Sequence, residues 1–213
     1  NKFLEDFLPS QRLISFYGAF NSLSQVLLKI AAPGLPDIYQ GCELWDFSLV
    51  DPDNRRPVDF ALRARLLGDL KRDSAADPAR LAAELLADLP SGRIKLFLTW
   101  RALAARAALK DVLESGSYLP LAVEGVHAES VFAFARAAGG RAVIAALPRL
   151  ISGFVPAGRP PLGDLWQDTR LALTPELRGT FTDAFTGRTF EAGETAALKD
   201  LFASFPCALL TRG

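Results

Sequence analysis

No methionine occurs among the 213 residues, histidine occurs once and cysteine twice. A chain that starts at Asn1 without any methionine cannot begin at a natural start codon, so it reads as an excised piece of a longer protein. Cys42 and Cys207 lie far apart and form neither a CxxC pair nor a disulfide framework, so nothing points to secretion or a structural metal. Charge of neither sign is in excess, since 24 Lys and Arg meet 24 Asp and Glu. No global field therefore favours nucleic acid, an anionic membrane or a polyanionic substrate, and a neutral or locally polar ligand fits better. Long apolar runs are missing as well. Lys29, Pro33 and Pro36, or Arg136 and Arg141, interrupt the most apolar segments before the roughly 20 residues needed to span a bilayer. With no signal peptide either, the expectation is a soluble, cytoplasmic protein.

What the chain has is enough apolar residue, 50%, for a real core. From Ser10 to Ala31, Leu13, Phe16, Tyr17, Phe20, Leu23, Leu27 and Ile30 recur at helical spacing and predict one helix with a buried stripe. Pro33 and Gly34 stop it, and Leu35 to Gln40 follow as a short segment of strand length. Pro57 suits the first position of a helix from Val58 to about Arg72. Asp77 reads as the N-cap and Pro78 as the first residue of another helix through Leu81, Leu85 and Leu89. A longer helix carries Phe97, Trp100, Leu103 and Ala107 and ends near Glu114. Beyond Ser115-Gly116-Ser117 the period falls to two, with Leu119, Leu121 and Val123 alternating against polar and small residues. Hairpins are expected at Gly139-Gly140 and Thr186-Gly187, and a last strand from Pro206 to Thr211. The expected class is α+β, with a helical part over 1–116 and an antiparallel sandwich over 117–213. Phe132, Phe134, Trp166 and Phe181 are expected to face inward as its core.

Chemistry concentrates between Pro33 and Asp59. A buried strand that ends in glycine and opens into a polar loop is how barrel enzymes build their active faces. Asp53, Asn54, Arg55 and Arg56 set carboxylate, amide and forked guanidinium groups side by side, a set suited to a ligand rich in hydroxyls. Tyr39 and Trp45 offer apolar faces to sugar rings. The plainer alternative is that Asp51-Pro52-Asp53-Asn54 is turn chemistry, that the arginines pair with Asp51, Asp53 or Asp59, and that the two rings are core or rim packing. His127, followed by Ala128, sits in a turn between expected strands and reads as structural.

The run Gly34-Leu35-Pro36-Asp37-Ile38-Tyr39-Gln40-Gly41-Cys42-Glu43 resembles the last barrel strand of α-amylase-type enzymes, G-x-P-x-x-Y-x-G-x-E. The run from Leu44 through Asp51-Pro52-Asp53-Asn54-Arg55-Arg56-Pro57-Val58-Asp59 resembles the one that singles out maltooligosyltrehalose synthases within that superfamily. Asn21 to Gln25, Arg93 to Arg101, Asp183 to Arg188 and Phe205 to Leu210 are similar to the same family, so the resemblance extends over essentially the whole chain.

The resemblance implies one strand and flanking helices from the end of a (β/α)8 barrel, followed by the sandwich. It also implies a retaining enzyme that moves the reducing-end glucose of a maltooligosaccharide from an α-1,4 to an α,α-1,1 linkage. Such chemistry needs two carboxyl groups about 5–5.5 Å apart. In this superfamily they follow earlier barrel strands, and no matching motif occurs here. The catalytic set is therefore expected to be absent, and the piece alone inactive. Tyr39, Glu43, Asp53, Asn54, Arg55 and Arg56 are the candidate substrate-binding residues, with Glu43 shaping the site rather than acting as the acid. No cofactor or metal is implied. Competing readings are a non-catalytic glucan-binding or stabilising module and another α-amylase-type hydrolase or isomerase. A barrel needs about 200–250 residues, so apolar helix faces should stay uncovered and favour self-association.

Overall fold

In the computed structural model, which describes residues 1–213, the first helix begins well before the sequence expectation. Helix α1 runs from Lys2 to Ala31, capped by Asn1, whose Oδ1 accepts from Phe3 N at 3.0 Å. Pro9 lies inside it. Its missing N–H removes one helical bond, but the residue is exposed and the helix continues past it to Ala31. Helix α2 spans Phe60–Ala76 and α3 Pro78–Ala87. Pro57 lies outside α2, contrary to the expectation that it starts the helix. Asp59 caps it instead, accepting from Leu62 N at 2.8 Å. Asp77 both ends α2 and caps α3, where it accepts from Arg80 N at 3.0 Å, as its spacing before Pro78 implies.

The long helix expected to reach Glu114 is two: α4, Arg93–Ala108, and α5, Lys110–Ser115. Leu109 leaves helical geometry with φ −115° and ψ 41°, and the bend points Val112 and Leu113 into the core. Strands follow from Ser117. β1 (Ser117–Pro120), β3 (Val131–Ala138), β4 (Arg141–Pro148), β6 (Gly179–Asp183), β7 (Thr189–Ala192) and β9 (Ala208–Arg212) form a six-stranded antiparallel sheet in the order β1-β3-β4-β9-β6-β7. β2 (Val123–Glu124), β5 (Arg170–Ala172) and β8 (Thr195–Ala197) form a second antiparallel sheet, joined to the first by the short helix α6 (Leu198–Leu201) and irregular chain. Gly139 and Gly140 both take positive φ, 56° and 80°, which is what a two-residue hairpin turn between β3 and β4 requires.

Helices and sheets share one apolar core that runs from Phe20 to Leu210. Phe134, Trp166 and Phe181 are buried in it, whereas Phe132 is partly exposed at its margin. His127 stacks on Phe154 with ring centres 3.8 Å apart, so its ring serves packing. Polar ties cross from helices to the β half: Ser24 Oγ donates to Pro148 O on β4 at 2.8 Å, and, to chain between strands, Tyr17 OH donates to Val155 O at 2.7 Å and Arg101 Nε to Ala184 O at 2.6 Å. The joint at Gly116 is the tightest. A Cβ there would sit 2.4 Å from Val112 O and 2.8 Å from Ala137 O. The buried Arg136 on β3 donates to Leu113 O and Gly116 O, both at 2.8 Å, closing the C-terminal end of α5.

The expected barrel strand from Leu35 to Gln40 forms no strand. A parallel barrel strand is defined by ladders to neighbours on both sides, and none of the nine strands of this chain pairs with it. Exposed apolar side chains of the helical part include Phe3, Phe7, Leu13 and Ile14 on α1, then Leu35, Phe47, Leu49, Val50 and Phe60. The Ser10 to Ala31 stripe is thus fully buried only in its second part, with Leu13 45% exposed and Phe20, Leu23, Leu27 and Ile30 covered. No helix is long and apolar enough to cross a membrane.

Candidate functional site

The segment from Leu35 to Asp59 is irregular chain lying between α1, α2 and α4, and cations from the two later helices fasten its entry. Arg106 on α4 is buried and donates to Ile30 O at 2.7 Å and Gly34 O at 2.8 Å, holding the exit from α1. At Gly41 the backbone takes φ 93°, and a Cβ would stand 3.1 Å from Val58 Cγ2, so the two ends of the polar loop meet where only glycine fits easily. Arg63 on α2 donates from Nη2 to Gly41 O at 2.7 Å, from Nη1 to Asp59 O at 3.2 Å and from Nε to Glu43 Oε2 at 2.9 Å. Lys95 Nζ donates to Leu44 O at 3.2 Å, and Trp45 Nε1 to Leu89 O at 2.8 Å.

Lys95 is only 8% exposed, and burial pushes its ammonium below the ordinary lysine value, against the opposing pull of Cys42, Asp46 and Glu43. Asp46 shifts the other way. Hydrogen bonds from Ser48, with Lys95 and Arg63 adding charge, hold its carboxyl below the usual carboxylate range.

Asp53, Asn54 and Arg55 form one 3-10 turn, followed directly by Arg56. Asp53 Oδ2 accepts from Leu49 N at 2.8 Å, and its Oδ1 pairs with Arg56. Arg55 forks onto Asp51, with Nε to Oδ1 at 2.8 Å and Nη2 to Oδ2. Asn54 Oδ1 is covered and accepts no hydrogen bond from the chain. Tyr39 presents a half-exposed ring, while its carbonyl accepts from Cys42 N at 3.2 Å and Cys42 Sγ at 2.6 Å. Glu43 bonds to Arg63 and is fixed at the base of the loop rather than beside the turn. The structure therefore brings Asp53, Asn54, Arg55 and Arg56 together, with the two arginine–aspartate pairs that turn chemistry allows, and sets Glu43 apart from them. Trp45 is anchored through its indole N–H with Lys95 Nζ 5.7 Å from its ring centre, so it packs as well as lining a cleft.

Two clefts adjoin this segment. One of about 310 Å³ lies among Ser22, Gln25, Lys29, Ile38, Cys42, Lys95 and Thr99. The other, about 690 Å³, runs along α1 past Trp45, Asp46 and Phe47, and both are lined by Ser22 and Lys95. Arg63, Lys95 and Arg106 organise the loop but were not singled out from the sequence. Their acceptors are mostly backbone carbonyls tens of positions away. The helical spacing of the loop's flanks signals which residues form helices, not which carbonyls they reach. The similar run Asp183 to Arg188 is structural: the buried Asp183 accepts from Phe185 N at 3.4 Å and Thr186 N at 3.0 Å and shapes the turn after β6. Burial raises its carboxyl above the ordinary value against those same bonds.

No family model matches the chain. A Mycobacterium tuberculosis protein that carries the name maltooligosyl trehalose synthase is 35% identical over 192 residues, 90% of this chain and 20% of its own. The maltooligosyltrehalose synthase of Arthrobacter ramosus superposes with a TM-score of 0.75 at 33% identity, covering 100% of this chain and 24% of that one. A second solved maltooligosyl trehalose synthase gives 0.66 at 26% identity with the same coverage. An Anoxybacillus α-amylase, 14% identical, shares the fold alone, with a TM-score of 0.53 over 90% of this chain and 32% of its own. The chain spans about a fifth of the length of the curated relative and about a quarter of the solved synthases. From end to end, it is homologous to one segment of the maltooligosyltrehalose synthases.

Proposed function

We propose that this chain is the C-terminal segment of an enzyme that converts the reducing-end α-1,4 linkage of maltooligosaccharides to α,α-1,1 by retaining intramolecular transglucosylation. In this reading residues 1–116 belong to the catalytic barrel and its helical extension, and residues 117–213 form an all-β domain. The observation that carries it is the end-to-end correspondence with solved synthases of that name.

The segment supplies substrate contacts and leaves bond cleavage to residues outside it. Arg55 uses Nε and Nη2 on Asp51, and Arg56 uses Nη2 on Asp53, so each guanidinium keeps donors for sugar hydroxyls. Asn54 Oδ1 is an acceptor without a donor, but it is covered, so a sugar hydroxyl reaches it only after the turn shifts to uncover it. Tyr39 lines the floor, and Glu43 braces it through Arg63. An isomerase of this kind must let the freed glucose attack before water does. Phe47, 82% exposed, with Leu49 and Val50 lies on the same loop as the polar turn, an apolar rim suited to excluding water once the rest of the enzyme covers it.

The test is to incubate this chain, and a full-length enzyme carrying it, with maltopentaose and follow loss of reducing ends. The expected result is turnover by the full-length enzyme only; turnover by the segment alone would place catalytic carboxylates within it. In the full-length enzyme Arg55→Ala and Arg56→Ala should each cut turnover by roughly tenfold or more, as lost charged hydrogen bonds do. Stability should fall by no more than about 1 kcal/mol, because both ion pairs are exposed.

A further inference from the structure

We propose that Arg63 is a positioning residue, a single guanidinium that ties the outgoing and returning arms of the 44–58 loop and so sets where Asn54, Arg55 and Arg56 point. This rests on the reading of the 53–56 turn as substrate-facing.

Within the loop the side-chain bonds are local. Ser48 N reaches Asp46, Leu49 N reaches Asp53, and Arg55 and Arg56 reach Asp51 and Asp53. They shape the tip without fastening it to the body. Lys95 and Trp45 fasten the outgoing arm alone, at Leu44 O and Leu89 O. Arg63 stands in the first turn of α2, onto which the returning arm runs through its cap Asp59, and reaches across to the outgoing arm at Gly41 O, 2.7 Å away; its 3.2 Å bond to Asp59 O stays within that helix turn. Glu43 Oε2, at 2.9 Å, fixes the plane of the fork between them. Three acceptors around one rigid planar group is a task that guanidinium performs and a point-charge ammonium does not. Arg63 itself is mostly covered, so these bonds compete little with water. Without the tie the returning arm, which carries the turn, is free to shift against the outgoing arm, and misplacement by about 1 Å far from the chemistry can cost about 100-fold in rate.

The experiment uses the full-length enzyme carrying this segment. Steady-state isomerisation of maltopentaose is measured alongside peptide-resolved hydrogen exchange over residues 44–58, for Arg63→Ala, Arg63→Lys, Arg55→Ala and Arg56→Ala. Arg63→Ala is expected to lose about 100-fold in kcat/KM per folded molecule. Exchange in the loop should quicken about tenfold or more, as loss of charge-assisted bonds implies. Arg63→Lys, which keeps a charge for Glu43 but has no fork for two carbonyls, should resemble Arg63→Ala more than wild type. Unchanged exchange across 44–58 in Arg63→Ala overturns the proposal, as does unchanged kcat/KM there while Arg55→Ala and Arg56→Ala are impaired. Wild-type kinetics in both Arg55→Ala and Arg56→Ala would instead sink the substrate-facing role of the turn, and the exchange measurement still decides the tie. Should Arg63→Ala fail to fold, the exchange and kinetics of Arg63→Lys decide in the same way.

Discussion

Among individual residues, Lys95 shows how a cation is kept inside a helical layer. Its stem is buried between α1 and α4, its ammonium has one carbonyl acceptor, and it faces Cys42, Asp46, Glu43 and the like-charged Lys29. Desolvation is the largest influence and lowers its proton affinity. The folded chain therefore binds this proton less tightly than the unfolded chain, where the ordinary value is 10.5. Stability contributed by this group rises as pH climbs from the lowered folded value towards 10.5, and is complete above it. Lys95→Met should abolish that alkaline rise, which thermal unfolding across the alkaline range measures. A parallel pair of curves for wild type and variant would show that Lys95 is as well solvated as an ordinary surface lysine. Such an energetic role was not visible in the sequence, where Lys95 appeared only as a member of a similar run.

At the level of elements, the joint between α5 and the large sheet depends on Arg136. It sits mid-strand on β3, opposite Val143 on β4, yet spends Nη1 and Nη2 on the C-terminal end of α5, while its buried Nε has no partner. Arg136→Met leaves Leu113 O and Gly116 O without a donor, at a cost of about 2–5 kcal/mol, read as a lower urea midpoint. Arg136→Lys should recover about half of it, since an ammonium reaches one carbonyl more easily than two. Elements with strong local signals were legible in the sequence: the Asp77-Pro78 start of α3, the Gly139-Gly140 hairpin and the strands around Thr186-Gly187. Others were not, for identifiable reasons. Pro9 masked the first turns of α1, Leu109 bends a stretch with no glycine or proline to mark the break, and β5 and β8 are three residues each, too short for a period of two to register. Leu35 to Gln40 reads as a strand but has no pairing partner in this chain. The loop's composition disclosed the cluster at 53–56; the clamp that holds it depends on Arg63, which meets Glu43 across 20 positions.

For the molecule as a whole, the surface around α1 and the loop is left open. Phe3, Phe7, Ile14, Leu35, Phe47 and Val50 are exposed along α1 and the loop, large apolar side chains of the kind that association covers. The isolated chain is expected to self-associate, so its sedimentation coefficient should rise with concentration, and Ile14→Glu with Phe47→Ser should suppress the rise. A concentration-independent 23.0 kDa species for the unsubstituted chain would count against it. The order of strands in the large sheet has a consequence for biosynthesis. β9 lies between β4 and β6 and follows every strand of that sheet in sequence. Emerging from the ribosome N-terminus first, the chain presents β1-β3-β4 and β6-β7 as two separate sheets with bare inner edges until β9 arrives. That interval is when chaperones or wrongly paired neighbours have access to it.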